Sequence, residues 1–395
     1  MIRKIGLILL MLFLSGCWDR VEIDQRGFVT GVAVDMGNVT EKQDQEAPKS
    51  VPTYRSTYQI IVPAGLKQSG SSKEVSTAST GGTYFNISAF GNSMPAISSK
   101  IAAETSRSPY FEHLKIIAIS SDLAKGSNNI ADIMDYFLRD NEIRRGVKIL
   151  ITDGPAKEVL SVDSLNEKYP IAYIESTINN IKNNNAMVPA TRIGDLHEQL
   201  LKNNAYVVQK IKSSHGKMSL TGAAVIDNKN RFVGFLSDEE TQGLNLLKGD
   251  VKGGTLEVKL DGQLLDFGFD NEHSRITAVL EGNEIQKFMI AITAEGYIGK
   301  TAEQLDLTKL NNITMLQKAI EEQIVHVCEA TIHTLQSRYQ KDVIGLGEYL
   351  NQNHYRLWTA LEADWNSGEH RFANIPIDVH ASVDIRRIGD INRSE

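Results

Sequence analysis

Apolar positions along this chain recur at two periods, and the change between them maps the elements. Phe28-Val29-Thr30-Gly31-Val32-Ala33-Val34-Asp35 alternates as a half-buried strand does. Tyr54 to Val62 repeats that pattern and stops at Pro63. Residues 38–50 are charged and polar, and Gly65 to Gly82 is dominated by Ser, Thr and Gly, so both read as loops. The spacing then becomes helical. Ser93 with Pro95 predicts a helix start, with Ile97 and Ile101 on one face. Ile130, Ile133, Met134, Phe137 and Leu138 fall at i, i+3, i+4, i+7 and i+8 and predict an amphipathic helix. Strands are expected at Leu114–Ile119 and Val147–Thr152, a short helix around Lys157–Leu160, and helices at Tyr169–Lys182 and Gly194–Lys202.

The second half is richer in strands. Tyr206–Ile211, Ser219–Ile226 and Arg231–Leu236 alternate, and Asp227-Asn228-Lys229-Asn230 supplies turn chemistry between the last two. After a helix at Asp238–Leu247 come strands at Leu256–Leu260, Leu264–Phe269, Arg275–Leu280 and Lys287–Thr293. Leu307 to Tyr339 reads as one long helix, with Ile313, Leu316, Ile320, Ile324, Val327, Thr331 and Leu335 along one side. A Gly345-Leu346-Gly347 break precedes a helical stretch with Trp358 and Trp365, and Ile375–Ile388 closes the chain as a strand. The class is α+β and multi-domain, with mixed or antiparallel sheets flanked by helices. The pattern places an N-terminal region at 17–203, with room for two subdomains, and a C-terminal domain at 204–395.

Residues 1–16 stand apart. Arg3 and Lys4 precede an apolar run from Ile5 to Leu14, and Ser15 and Gly16 lead into Cys17. Positive, apolar, small and cut is the order of a secretory signal, and the run is too short to span a bilayer, which takes ~20 helical residues. Leu14-Ser15-Gly16-Cys17 resembles the bacterial lipobox. Cys17 would then carry a diacylglyceryl group and an N-acyl chain and become the first mature residue. One acyl chain holds a membrane only marginally, and two hold it stably. With Cys17 acylated, Cys328 has no disulfide partner. The chain carries a net charge of −7, which argues against nucleic acid and against a polybasic grip on anionic lipid.

No enzyme constellation is present: no phosphate loop, no Cys pair, no Gly-x-Ser-x-Gly elbow. His197-Glu198 begins a metalloprotease pattern, but Leu201 stands where the second His belongs. Phe232 replaces the Gly that a calcium loop starting at Asp227 requires. His326 and His333 share a helix face with Glu322 and Glu329, which reads better as a solvated polar face than as a metal site. Trp358 and Trp365, seven residues apart, are expected to anchor a core. Arg139, Asp140, Glu142, Arg144 and Arg145 crowd the end of an apolar helix. They serve either the helix dipole or, because Arg pairs carboxylates in a plane, a docking patch for another chain.

Several stretches together resemble the Ger(x)C family, the C subunits of nutrient germinant receptors in endospore-forming bacteria. They are Cys17-Trp18-Asp19-Arg20-Val21-Glu22-Ile23, Leu138 to Arg144, Thr221 to Val225 with Gly234-Phe235-Leu236, and Glu240 to Leu244. Asp342 to Gly347, the two tryptophans and Asp384 to Gly389 complete the series. The family usually carries Phe in place of Ile344 or Leu346. The resemblance implies three α+β domains on a lipoprotein at the outer face of the inner spore membrane. It also implies assembly with a multi-pass B subunit and an A subunit, no enzymatic activity, and no cofactor beyond the lipid on Cys17. The rival reading is a solute-binding lipoprotein that delivers a nutrient to a transporter, which predicts two similar α/β lobes.

Overall fold

The structure, a computed structural model, describes residues 25–37, 52–63, 82–202, 204–260, 262–300 and 309–387. Cys17 and the signal-like stretch lie outside these residues, as do both loops expected at 38–50 and in most of 65–82. Ten strands form the first sheet: β1 (Arg26–Met36), β2 (Tyr54–Ile61), β3 (Tyr84–Gly91), β4 (Ser108–Tyr110), β5 (Ile116–Ser120), β6 (Lys148–Asp153), β7 (Tyr206–Ser214), β8 (Lys217–Ser219), β9 (Ala223–Ile226) and β10 (Phe232–Leu236). Their order is β10-β9-β7-β6-β5-β1-β2-β3, with β4 beside β1 and β8 beside β7. The middle strands β1, β5, β6 and β7 are parallel. Parallel strands are covered on both faces, which is why Ile116–Ile119 is apolar throughout and fully buried.

Helices line those two faces. On one, α1 (Met94–Glu104), α3 (Asn129–Arg139) and α5 (Ile193–Lys202) bring Ile97, Ile101, Ile133, Phe137 and Leu196 into a core with Val32 and Ile117. The short α2 (Ser121–Ala124) precedes α3. On the other face, the 3-10 helix Ala156–Ser161 and α4 (Pro170–Ile178) pack Val159, Leu160, Ile171 and Ile174 on Ala33, Ala118 and Leu150. Both helix starts are held by buried polar groups of the sheet. Asp35 accepts from the Ala156 and Lys157 N–H groups at 2.6 and 3.0 Å, and Gln59 Oε1 accepts from Ile171 N at 3.3 Å.

The second sheet has the order β11-β12-β13-β14, from Thr255–Leu260, Gln263–Glu281, Glu284–Lys300 and Ile377–Arg387. The β13/β14 pair is parallel and the others antiparallel, so both sheets are mixed. The two strands expected within 264–280 are one 19-residue strand, because a bulge at Phe269–Asn271 carries the polar stretch that interrupts the alternation. Around this sheet lie α6 (Asp238–Lys248), α7 (Leu310–His333), α8 (Leu346–Asn353), α9 (Tyr355–Trp365) and α10 (Arg371–Asn374). The expected long helix is present and ends in a π-helical turn, Thr334–Tyr339. Leu316, Ile320, Ile324, Val327 and Leu335 face the core, with Trp358 and Trp365 buried nearby.

The change of sequence character near 203–217 is not a change of sheet, since strands from 206 to 236 hydrogen-bond into the first one. Strand β9 serves both sides. Ala224 and Ile226 enter the core with α3, while Ala223 and Val225 enter the core with α7. The stretch expected as one strand at Ser219–Ile226 is split, because Gly222 sits at φ 90° between β8 and β9.

Candidate functional site

The five charged residues at the end of α3 do two different jobs. Asp140 Oδ1 accepts from Glu142 N at 2.9 Å and closes the turn that leaves the helix. Glu142 Oε2 accepts from Phe111 N at 3.2 Å and ties that turn to the segment after β4. These two carboxylates build the loop. The arginines face outward: Arg139 is 78% exposed and Arg144 68% exposed. Arg139 Nε meets Asp135 at 2.8 Å, an i,i+4 pair on the helix surface, and Arg144 meets Glu112 Oε1 at 3.2 Å. Arg145 is exposed, and its backbone carbonyl accepts from Gly194 N at 3.3 Å.

Glu112 extends the patch back to the start of the described chain. Its other oxygen accepts a short hydrogen bond from the Tyr110 hydroxyl. That hydroxyl, with Arg144 behind it, holds the Glu112 carboxyl below its usual range. The Arg26 guanidinium lies over the Tyr110 ring at 4.0 Å from its centre, a cation–π contact. Phe28 meets Tyr110 and His113 edge-on. One network thus joins Arg144 to Arg26, the second described residue, at the end of the sheet where β1 begins. Sequence reasoning passed over Arg26, Tyr110 and Glu112, because β4 is only three residues long and carries no alternation of its own.

The other distinctive motifs are joints between elements. Asp342, only 5% exposed, accepts four hydrogen bonds. Its donors are the backbone N–H groups of Gly345 (2.8 Å), Leu346 (3.2 Å) and Gly347 (2.7 Å) and Trp365 Nε1 (2.8 Å). A carboxylate here neutralises the positive end of α8. Gly347 is required, since a Cβ would lie 2.6 Å from Trp358 Cη2. The tryptophans meet edge to face at 5.7 Å, and both are core residues. Glu240 closes a capping box with Ser237 at the start of α6 and also accepts from the Thr334 hydroxyl at 2.9 Å. Gly243 lets α6 lie against α7 beside Thr331, and Gly234 leaves room for the Tyr339 ring, whose hydroxyl donates to Phe235 O at 2.7 Å.

His326 and His333 are exposed on α7, and Glu322 pairs with Lys318 at 3.8 Å. Asp227 spends its carboxylate on Lys229 N, Arg231 N and the Arg231 guanidinium, so the loop expected to be a hairpin turn is one. Among the described residues no group of three or more His, Cys, Asp or Glu is placed to hold a metal, and no helix is long and apolar enough to cross a membrane. Cys328 is buried and free, with its thiol pushed up by burial.

Comparison with known proteins gives these joints a context. Residues 19–213 match the family described as spore germination protein N-terminal domain, and residues 221–389 match spore germination B3/GerAC like, C-terminal. Among curated proteins of Bacillus subtilis (strain 168), spore germination protein YndF is 27% identical over 97% of this chain and 95% of its own. Spore germination protein B3 is 26% identical over 90% of each, and spore germination protein A3 is 26% identical over 98% of each. The crystal structure of the GerBC protein shares the fold, with a TM-score of 0.58 and 22% identity, covering 92% of this chain and all of that one. With its two parts matching the two family descriptions in order, the chain belongs to the Ger(x)C family of spore germination proteins.

Proposed function

We propose that this chain is a lipid-anchored, non-catalytic subunit of a germinant receptor, held at the outer face of the inner spore membrane by acyl chains on Cys17. Its work is docking to membrane subunits of the A and B type, so that small nutrients trigger germination. The observation that carries this reading is the position of the exposed arginines. Arg144 connects through Glu112 and Tyr110 to Arg26, at the end of the sheet from which the chain runs back to Cys17. The eight residues from Cys17 to Asp24 reach at most roughly 27 Å when extended. A tether of that length keeps the arginine face near the bilayer, where membrane partners are, and raises its effective concentration there.

The test is Cys17→Ala in spores. Germination at ordinary nutrient levels should collapse while the purified variant unfolds at the same denaturant concentration as the parent. Normal germination by a demonstrably unlipidated chain would refute the anchoring mechanism.

A further inference from the structure

The end of the first sheet where β1 begins carries an apolar groove of about 450 Å³. Strand direction gathers its walls there. β2 runs antiparallel to β1 and β3 antiparallel to β2, so the end of β2 and the start of β3 both lie beside the start of β1. Ile60 and Ile61, with Val62 and Pro63 after them, form one wall, and Phe85 extends it on β3. The turn after α1, from Glu104 to Arg107, forms the other, and Gly27 lies between them.

The lip of this groove faces water. Phe85 is 42% exposed, and Val62 and Pro63 beside it are half-buried. A single exposed aromatic is ordinary, but this one continues an apolar wall on an edge strand, where charged residues are the usual protection. The rim is cationic. Arg107 is exposed on it, and beyond β4 stand Arg26 over the Tyr110 ring and the exposed Arg144 and Arg145. Glu104 is the one carboxylate among the lining residues, and Glu112 nearby is already paired with Arg144. This end of an acidic chain therefore presents guanidinium groups around an apolar lip.

The place where the chain leaves the sheet decides what covers that lip. Gln25, the first described residue, is two positions before Gly27, and the eight residues from there back to Cys17 reach at most roughly 27 Å. Acyl chains on Cys17 would hold the groove within that distance of the lipid headgroups. Half-buried Tyr84 and Tyr110 flank Phe85 and Arg26 in sequence or in space, and aromatic rings with polar tips and arginines around an apolar surface suit a membrane interface.

We propose that this groove and its Phe85 lip rest in the bilayer interface, with Arg107 and Arg26 on lipid phosphates. The proposal rests on the lipid-anchor reading above and gives the anchor a second membrane contact. A tether limits distance and leaves orientation free. The lip fixes which end of the sheet meets the membrane, through apolar contact and a few arginines rather than a polybasic stretch.

Mass spectrometry first establishes the lipid on Cys17 of the full chain purified with its anchor. A fluorescent dye is then attached through Ser106→Cys on the groove rim, and for reference through Lys217→Cys beside the β7–β8 turn, at the opposite end of the same sheet. Cys328, being buried, does not compete for the dye. The chain is placed in vesicles of phosphatidylethanolamine and phosphatidylglycerol that carry nitroxide-labelled lipid. A contact reaching about 5–10 Å into the headgroup boundary should make quenching at 106 about fivefold stronger than at 217. Phe85→Ser should lower the quenching at 106 about threefold, and Arg107→Glu about twofold. Both changes are at exposed positions and should leave the urea midpoint near the parent's, and Arg107→Glu decides alone if Phe85→Ser alters folding. Equal quenching at the two positions, or quenching at 106 indifferent to these substitutions, would overturn the contact while leaving the anchor intact. A dye at 106 shielded from water yet unquenched by the lipid would overturn it as well, and would show that protein covers the groove. If Cys17 carries no lipid, the anchor reading fails and this proposal falls with it.

Discussion

Removing the Asp342 carboxylate should unlock the C-terminal helices. In Asp342→Ala, three backbone N–H groups and the Trp365 indole N–H lose their acceptor at a largely buried position. A hydrogen bond to a charged group contributes about 1.5–3 kcal/mol, and a buried donor left alone costs about 1–3 kcal/mol. The four are not additive, because they share one carboxylate, and the Leu346 bond at 3.2 Å is long. We therefore expect a loss of about 4 kcal/mol, a large part of the ~5–15 kcal/mol that holds a domain folded. Asp342→Asn keeps one oxygen acceptor and loses the charge at the α8 N-terminus, so it should cost about half as much. Urea unfolding followed by tryptophan fluorescence suits the test, since two of the three tryptophans sit at this joint. Glu362→Ala, an exposed change on α9, is the control and should stay within about 0.5 kcal/mol of the parent. A cost below about 1 kcal/mol for Asp342→Ala would refute the claim that this carboxylate is the joint.

Three further outcomes follow from buried groups. Burial pushes the Glu272 carboxyl up to about 8 from an ordinary value of 4.5, with Asp250 adding to the shift and the Val251 backbone and Lys252 opposing it. Between those two values the folded chain keeps a proton the unfolded chain has released, so stability falls as pH rises through that window and is level above it. The fall is at most roughly 5 kcal/mol, and Glu272→Gln should flatten a plot of urea midpoint against pH. Gly243→Ala puts a methyl 2.2 Å from Thr331 Oγ1 and 2.7 Å from Val327 O, and the forced separation of α6 from α7 should cost roughly 3 kcal/mol in the same assay. In a Cys17→Ala chain Cys328 is the sole thiol, and burial raises its pKa, so an aromatic disulfide reagent should label it only after unfolding.

Long periodic elements were legible from the sequence. The helix at 129–139 and the one beginning at 310 follow their apolar spacing, because each buries a single stripe. The tryptophans could be assigned to the core on size alone. Strand β3, at 84–91, escaped notice because it is an edge strand whose exposed positions mix Phe85 with the polar Asn86 and Ser88, which breaks the alternation. Those polar residues make sense only once Leu160 O and the Thr57 hydroxyl are seen as their partners. The membership of strands 206–236 in the first sheet was equally hidden, since alternation gives a strand's faces and not its neighbours. In the candidate site, the charge cluster after α3 was visible, but its division into loop-building carboxylates and outward arginines was not. That division depends on Phe111 N and Glu112, some thirty residues earlier in the chain. Motifs such as Asp342 to Gly347 could be recognised as a resemblance, while their role as joints needed the distances.

The measurement closest to the central claim is mass spectrometry of what co-purifies with the native chain from gently solubilised spore membranes, beside a Cys17→Ala strain. The account predicts a multi-pass membrane protein and a second large subunit with the native chain, sharply reduced with the variant, and a mature N-terminus carrying the lipid. The chain recovered alone, or with transporter components, would contradict it.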